Sequence, residues 1–232
     1  MNFKKGLKDG IPICLGYFSV SVAFGVMCIQ KELTWIEAFM ISLLNLTSAG
    51  QYAGLTIMTT GGTLLEIALS QLLINARYAL MGISLSQKLD KKFTTPYRLL
   101  LGFAITDEIF AVASGNKTVN RSYLAGLAML PIIGWSSGTL CGALLGGIMP
   151  SIIQNALGVA LFGMFIAVFI PAAKQEKSVL CVVCIAIICS CLMYYLPVLK
   201  EVSSGFAVII CTLIAAALGA WFFPREEEEN EV

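Results

Sequence analysis

The sequence WIEAFMISLLNLTSAGQYAGLTIM, residues 35–58, decides how this chain folds. Its length suits a single helix across ~30 Å of hydrocarbon, which needs about 20 mainly apolar residues. Its middle, however, combines polar side chains that compete for backbone hydrogen bonds with a glycine. Lipid does not tolerate irregular backbone, whereas a protein-lined cavity does. We therefore predict a broken or re-entrant helix, with Asn45–Gln51 non-helical.

The composition of the whole chain indicates a membrane protein. Of its 232 residues, 58% are hydrophobic and 12% are charged, and the mean hydropathy is +0.85. Soluble domains carry about 25% charged residues. We therefore predict an all-α, polytopic bundle of transmembrane helices surrounded by the lipid of a cell (cytoplasmic) membrane. A net charge of +1 gives no electrostatic case for binding nucleic acid.

Apolar runs divide the chain into eight candidate membrane segments with short polar connections. They are residues 11–29, 35–58, 63–85, 99–113, 124–149, 151–173, 179–196 and 205–223. At about 20 residues a crossing, we predict one transmembrane domain over residues 1–224 with about six to eight segments, one or two of them broken or re-entrant. The five glutamates after Arg225 predict an acidic, disordered tail over residues 225–232.

The basic residues bear on which segments cross. The fourth segment has only 15 suitable residues, with Asp107 and Glu108 at its centre, so it is the second candidate for a broken or re-entrant helix. If all eight segments cross, cytoplasmic loops hold 8 and outer loops 6 of the basic residues other than Arg77. If neither the second nor the fourth crosses, the split is 12 to 2 and both termini are cytoplasmic, which the positive-inside rule favours. A seven-span arrangement stays open.

Charged residues within the membrane need partners, because each costs ~2.5–3.5 kcal/mol at a helix centre. Arg77 lies deep in the third segment, and Asp107 and Glu108 are the only deep carboxylates. We predict that Arg77 meets these carboxylates in space. They form either a structural ion pair that locks two helices, or a gated pair that exchanges partners with a substrate carboxylate or a proton.

The polar middle of the second segment is the candidate substrate site. Unwound backbone and half-helix ends at membrane depth attract the carboxylate and the ammonium of a small zwitterion. The predicted substrate-binding residues are polar or flexible; they are Asn45, Thr47, Ser48, Gly50, Gln51 and Asn75. The alternative is a kink filled by neighbouring helices, since small residues also favour close helix packing.

The sequence contains no enzyme motif. Histidine is absent, which excludes a His-based triad and an HExxH zinc site, and there is no P-loop. Cys181 and Cys184 have C-x-x-C spacing but lie among Val, Ile and Leu, so we interpret them as small apolar side chains and predict no cofactor or metal. Overlapping GxxxG steps over Gly134–Gly146 predict close helix packing, within the chain or with a partner.

Several short motifs carry a family resemblance. They are Gly16-Tyr17 with Ala23-Phe24-Gly25, Ser48-Ala49-Gly50-Gln51-Tyr52, Leu73-Ile74-Asn75-Ala76-Arg77-Tyr78, and Ile105-Thr106-Asp107-Glu108-Ile109-Phe110-Ala111. With these motifs the chain resembles the AzlC family, the large subunit of two-component exporters of branched-chain amino acids. The resemblance covers nearly the whole chain, and the Asn-x-Arg and Thr-Asp-Glu-x-Phe pieces are its most specific parts.

The resemblance implies a secondary transporter that exports branched-chain or other hydrophobic amino acids by proton antiport, with a small membrane subunit of the AzlD type as partner. One position departs from the family, which usually has His after the Arg where this chain has Tyr78. A proton route through that histidine is closed, so Asp107 or Glu108 has to carry the proton. Two other functions stay open: an uncoupled channel or facilitator for a small solute, and a non-transporting membrane scaffold.

Overall fold

A computed structural model describes residues 2–146, 148–150, 176–196, 199 and 202–224, with a few isolated positions between 152 and 174. The described part is almost entirely helical. Its helices are α1 (Phe3–Gln30), α2 (Trp35–Leu44), α3 (Ser48–Thr59), α4 (Leu64–Ser86), α5 (Thr95–Gly102), α6 (Asp107–Ser114), α7 (Arg121–Leu145), α8 (Lys177–Tyr195) and α9 (Ser204–Phe222). Among them, α1, α4, α7, α8 and α9 are long and apolar enough to cross a membrane. The predicted helical membrane bundle is confirmed.

The residues group into two compact units. Unit 1 holds residues 1–55 and 74–161, and unit 2 holds residues 56–73 and 162–232. In unit 2, α8 and α9 run antiparallel, because Gly219 near the end of α9 lies against Val182 near the start of α8. The predicted sixth segment, 151–173, falls largely outside the described residues, as does the predicted tail, 225–232.

Helices α1 and α7 pack side by side at the centre of unit 1 and run parallel. Gly134 lies against Cys14, and Gly142 lies against Val22, so the contact advances by the same amount along both helices. A Cβ atom at Gly134 would be 2.7 Å from the Cys14 carbonyl oxygen, which leaves no room for a side chain. The close packing predicted from the glycine steps is confirmed, and it joins two helices of the same chain.

The second predicted segment is broken and folds back on itself. Helix α2 ends at Leu44, residues 45–47 are non-helical, and α3 begins at Ser48. The side-chain amide of Gln51 donates to the carbonyls of Asn45 and Ile41, the latter at 3.3 Å. Residues ten apart on one continuous helix lie about 15 Å apart along its axis. The chain must therefore reverse between α2 and α3, which makes this segment a re-entrant hairpin.

The break is shorter than predicted, because Thr47 starts a new helix at once. Its hydroxyl oxygen accepts from the Gly50 N–H at 3.2 Å, and its carbonyl accepts from the Gln51 N–H at 2.9 Å. Ser48, Gly50 and Gln51 are therefore helical, and the prediction of a non-helical stretch as far as Gln51 is wrong. Gly50 does not have a positive φ, so its role does not depend on glycine's extra backbone freedom.

The fourth predicted segment is also broken and re-entrant, and it enters from the opposite end of the α1–α7 pair. Helix α6 begins at Asp107, directly after the break at residues 103–106. Just beyond α6, Val119 bridges Leu89, which precedes α5, and the Ser114 carbonyl accepts from Lys88 Nζ at 2.5 Å. The start of α5 and the end of α6 therefore both lie at the end of the bundle where α7 begins. The α2–α3 hairpin instead enters near the end of α1. The number of crossings favoured by the basic residues stays a prediction.

Candidate functional site

The two breaks lie around one cavity of about 200 Å³ within unit 1. Its walls come from residues 45–47, from the break at 103–106 and the residue before it, and from α4. The lining residues are Asn45, Leu46, Thr47, Asn75, Tyr78, Gly102, Phe103, Ile105 and Thr106. Amide and hydroxyl groups therefore face the same small space as apolar side chains, which is the composition typical of a site for a small amphipathic molecule.

Helix ends add partial charges at this cavity. The carbonyl ends of α2 and α5 and the amide ends of α3 and α6 all flank the two breaks. The first turn of α6 carries Asp107 and Glu108, so its positive end is already matched by negative charge. The first turn of α3 carries no acidic residue, and the Thr47 hydroxyl caps it by accepting from the Gly50 N–H.

An ion pair stands beside the cavity. Arg77 Nη1 lies 2.9 Å from Asp107 Oδ2, and the two side chains are 40% and 32% exposed. Tyr78 and Thr106, their neighbours in sequence, line the cavity. Arg77 and Asp107 meet as the sequence analysis expects, and their partial exposure shows that the pair is not sealed inside a packed helix interface.

The pair connects the second break to the first through Tyr78. Arg77 Nη2 donates to the Tyr78 hydroxyl at 3.3 Å, and the guanidinium lies 5.0 Å from the centre of the Tyr78 ring. The Tyr78 side chain and Thr47 line the same cavity. Tyr78 therefore lies between the ion pair and the α2–α3 break. Arg77 Nε is buried and has no hydrogen-bond acceptor among the described residues.

Glu108 is held by α1 rather than by Arg77. The Tyr17 hydroxyl donates to Glu108 Oε2 at 2.5 Å, and it lies 2.6 Å from Thr106 Oγ1. Thr106 also caps α6, since its hydroxyl oxygen accepts from the Ile109 N–H at 3.4 Å. The two carboxylates predicted to act together thus have different partners on different helices.

Gln51 supports the first break from outside the cavity. Its amide group donates to backbone carbonyls of α2 and the break, and its Oε1 accepts from Trp135 Nε1 at 3.2 Å. The Trp135 ring stands edge-on to Tyr17, with ring centres 5.4 Å apart. One aromatic pair from α1 and α7 therefore holds both hairpins, because Trp135 binds α3 and Tyr17 binds α6.

The structure divides the predicted substrate-binding residues into two groups. Asn45, Thr47 and Asn75 line the cavity, while Ser48, Gly50 and Gln51 do not. The latter three lie in the first turn of α3, where Gly50 and Gln51 stabilise the helix start and the break.

Sequence reasoning assigned no role to Tyr17, Thr106 or Trp135. Thr106 had a recognisable signal, since Thr before two acidic residues is typical of a helix start. The roles of Tyr17 and Trp135 follow from the parallel packing of α1 and α7; the glycine steps predict that α7 packs closely, but they do not identify α1 as its neighbour.

Comparison with known proteins identifies the family. The model of the AzlC protein family matches residues 12–149, which is more than half of the chain and includes both breaks. The chain belongs to the AzlC family. No solved structure matches it.

This AzlC chain is similar to several membrane proteins over most of its length. It is 26% identical to the inner membrane protein YgaZ of Escherichia coli over 98% of this chain and 94% of that protein. It is 31% identical to an uncharacterized membrane protein of Archaeoglobus fulgidus over 74% of this chain and 76% of that protein. An uncharacterized membrane protein of Helicobacter pylori is 27% identical, over 80% and 87% of the two chains. Family and relatives support a transporter-like role in a membrane.

Proposed function

We propose that this AzlC chain exports branched-chain or other hydrophobic amino acids across the cytoplasmic membrane by proton antiport. It works with a small AzlD-type membrane subunit, and its N-terminus is cytoplasmic. The observation that carries the proposal is the cavity of about 200 Å³ between two helix breaks, with an ion pair beside it. Sites for drug-sized ligands measure about 300–1,000 Å³, so this cavity suits a smaller solute.

The cavity offers a contact for each part of a hydrophobic amino acid. The Thr47 hydroxyl and the Asn75 side-chain amide, which both line the cavity, suit the carboxylate because each carries a hydrogen-bond donor. The carbonyl end of α2 and the side-chain oxygen of Asn45 suit the ammonium group. Phe103 and Ile105 provide an apolar wall for the side chain.

The ion pair supplies the coupling to protons. In the structure Asp107 neutralises Arg77 at 2.9 Å. When Asp107 takes up a proton, the negative charge beside the cavity is lost, which weakens binding of the solute's ammonium group and leaves proton and solute excluding one another, as antiport requires. Glu108 is the less suitable carrier, since Tyr17 holds it as part of the α6 attachment to α1. Proton entry at Asp107 and solute binding therefore change the same set of contacts.

Counterflow of labelled leucine in proteoliposomes tests the proposal. Protein reconstituted with its small subunit should exchange internal leucine or valine for labelled leucine, and an imposed pH gradient should drive net movement. Asp107→Asn leaves Arg77 without its partner and should lower the protein level, but the protein that is reconstituted should keep counterflow and lose the response to the gradient. Glu32→Gln, in the turn after α1, is the matched control and should keep both.

Two results would contradict the proposal in different ways. Counterflow that never responds to a pH gradient in the unaltered protein would indicate a facilitator. A chain that binds the small subunit but moves no amino acid of any class would indicate a scaffold.

A further inference from the structure

A second cavity lies on one side of the first. It measures about 120 Å³ and is formed by the last turns of α4, by α5 and by the first turn of α7, all within unit 1. Because α7 begins at the end where the α5–α6 hairpin enters, this cavity lies between that end and the central cavity. Leu85, Phe93, Leu101 and Leu124 give it a mainly apolar wall.

The two cavities share part of their walls. Gly102 and Ile105 line both the 120 Å³ cavity and the 200 Å³ cavity. A Cβ atom added at Gly102 would meet no heavy atom within 4 Å, so open space rather than packed atoms lies beside this glycine. Gly102 and Ile105 are therefore walls that the two cavities have in common.

Arg98 gives the second cavity a single cationic group. It lies in the first turn of α5, and its Nε donates to the Phe93 carbonyl at 3.2 Å, which fixes the direction of the guanidinium. Among the residues that the structure describes, the pair of Arg77 and Asp107 is the one ion pair, so no described carboxylate occupies Arg98. A guanidinium with free donors next to an apolar wall matches a carboxylate attached to an apolar side chain.

We propose that the 120 Å³ cavity is a second, transient subsite for the amino acid, entered from the end where α1 begins and joined to the central cavity at Gly102 and Ile105. Arg98 binds the carboxylate there, and the leucines and Phe93 contact the side chain. The subsite rests on the proposed function. With the N-terminus in the cytoplasm, it is the site at which solute for export is first bound.

Filling the junction between the cavities tests the route. Gly102→Leu, in the full chain with its small subunit, places a side chain in the open space and should lower leucine counterflow more than tenfold. Gly16→Leu is the matched control: it adds the same side chain to an exposed position on α1 with nothing within 4 Å of the added Cβ. It should retain most of the counterflow, since Gly16 lines neither cavity.

Removing the cationic group tests the subsite itself. Arg98→Gln should raise the leucine concentration for half-maximal counterflow by about tenfold from the side of the α1 N-terminus, as expected for loss of a charge-assisted hydrogen bond. The leucine concentration for half-maximal counterflow, measured from the opposite side of the membrane, should be unchanged. Arg98→Lys keeps the charge and should restore much of the affinity. A general folding defect would instead lower the maximal rate from both sides.

The possible outcomes distinguish failure of the subsite from failure of the proposed export function. If the unaltered protein moves leucine, and both Gly102→Leu and Arg98→Gln move it normally, the subsite is refuted while the exporter stands. An equal effect of Arg98→Gln from both sides also refutes the subsite. If the unaltered protein moves no amino acid, the exporter is refuted and the subsite with it.

Discussion

The two re-entrant hairpins of unit 1 are built alike but stabilised by opposite chemistry. At the α2–α3 break the groups are neutral: Thr47 caps α3, and Gln51 joins the break to Trp135. At the α5–α6 break the groups are charged: Asp107 meets Arg77, and Glu108 accepts from the Tyr17 hydroxyl. A neutral network keeps its geometry when a proton arrives, whereas an ion pair does not. Of the two breaks, the α5–α6 break is therefore the one whose contacts depend on a proton.

The largest expected effect concerns the side of the membrane on which each connection lies. A cysteine there is labelled either from one side or from the other. Single cysteines at Lys91 and Lys117, in a background without the native cysteines, lie before and after the α5–α6 hairpin. Both should react with an impermeant thiol reagent from the same side of the membrane. A cysteine at Glu32, after α1, is the control and should react from the other side. Opposite sidedness for Lys91 and Lys117 would mean that the segment crosses.

The next effect concerns the charged break. Arg77→Gln leaves Asp107 without its partner at membrane depth; the loss costs less than the ~3–5 kcal/mol of a fully buried pair, because both side chains are partly exposed. Transport and membrane protein level should both fall severely. Adding Asp107→Asn removes the remaining unpaired charge, so the double variant should recover protein level but not proton-driven transport. A single Arg77→Gln variant with normal level and transport would show that the pair is dispensable.

A smaller effect is expected at the attachment of the charged break to α1. Tyr17→Phe removes the hydroxyl that reaches Glu108 and Thr106, which should reduce leucine counterflow by about tenfold, the equivalent of one hydrogen bond to a charged group. Tyr194→Phe, on the exposed side of α8 in unit 2, is the control and should behave as the unaltered protein. Equal counterflow rates for the two variants would show that the hydrogen bond from Tyr17 to Glu108 is not needed for transport.

The smallest effect is expected at the neutral break. Gln51→Leu leaves the buried Trp135 N–H without its acceptor, at a cost of about 1–3 kcal/mol. Trp135→Phe removes this hydrogen bond alone, whereas Gln51→Leu also removes those to the Asn45 and Ile41 carbonyls, so Gln51→Leu should cost more, and the double variant should cost less than the sum because both changes remove the shared hydrogen bond. Thermal stability in detergent provides the measurement. Strict additivity would mean that the two side chains act independently. A change in the pH dependence of thermal stability in either variant would contradict the contrast between the neutral and the charged hairpin.

Much of the architecture could be predicted from the sequence, because membranes impose strict rules. A polar cluster such as Asn45–Gln51 cannot continue a lipid-facing helix, and a deep Arg77 requires a carboxylate. Both inferences identify the right regions, since the chain breaks at residues 45–47 and Arg77 meets Asp107. Asn75 lines the cavity, and its predicted role in binding substrate stays a prediction.

The exact limits of the site could not be predicted, because they depend on contacts between distant residues. Thr47 caps α3 and thereby ends the first break early. Gln51 is therefore helical, and its side chain accepts a hydrogen bond from Trp135 instead of lining the cavity. Phe103 and Ile105 gave no polar signal, yet they form its apolar wall. Their position follows from the way that the second hairpin meets the first.

The parallel contact between α1 and α7 also constrains how the chain is made. The glycine-lined face of α1 binds Gly134 and Gly142, which lie more than a hundred residues later in the sequence. At roughly 5–20 residues per second, a ribosome takes several seconds or more to reach them. During that interval a newly inserted α1 presents small residues to lipid, the kind of surface on which transmembrane helices associate. The helix that covers this face is thus among the last of unit 1 to be synthesised, and until then α1 has only its contacts with the helices made before α7, among them α2 and α3.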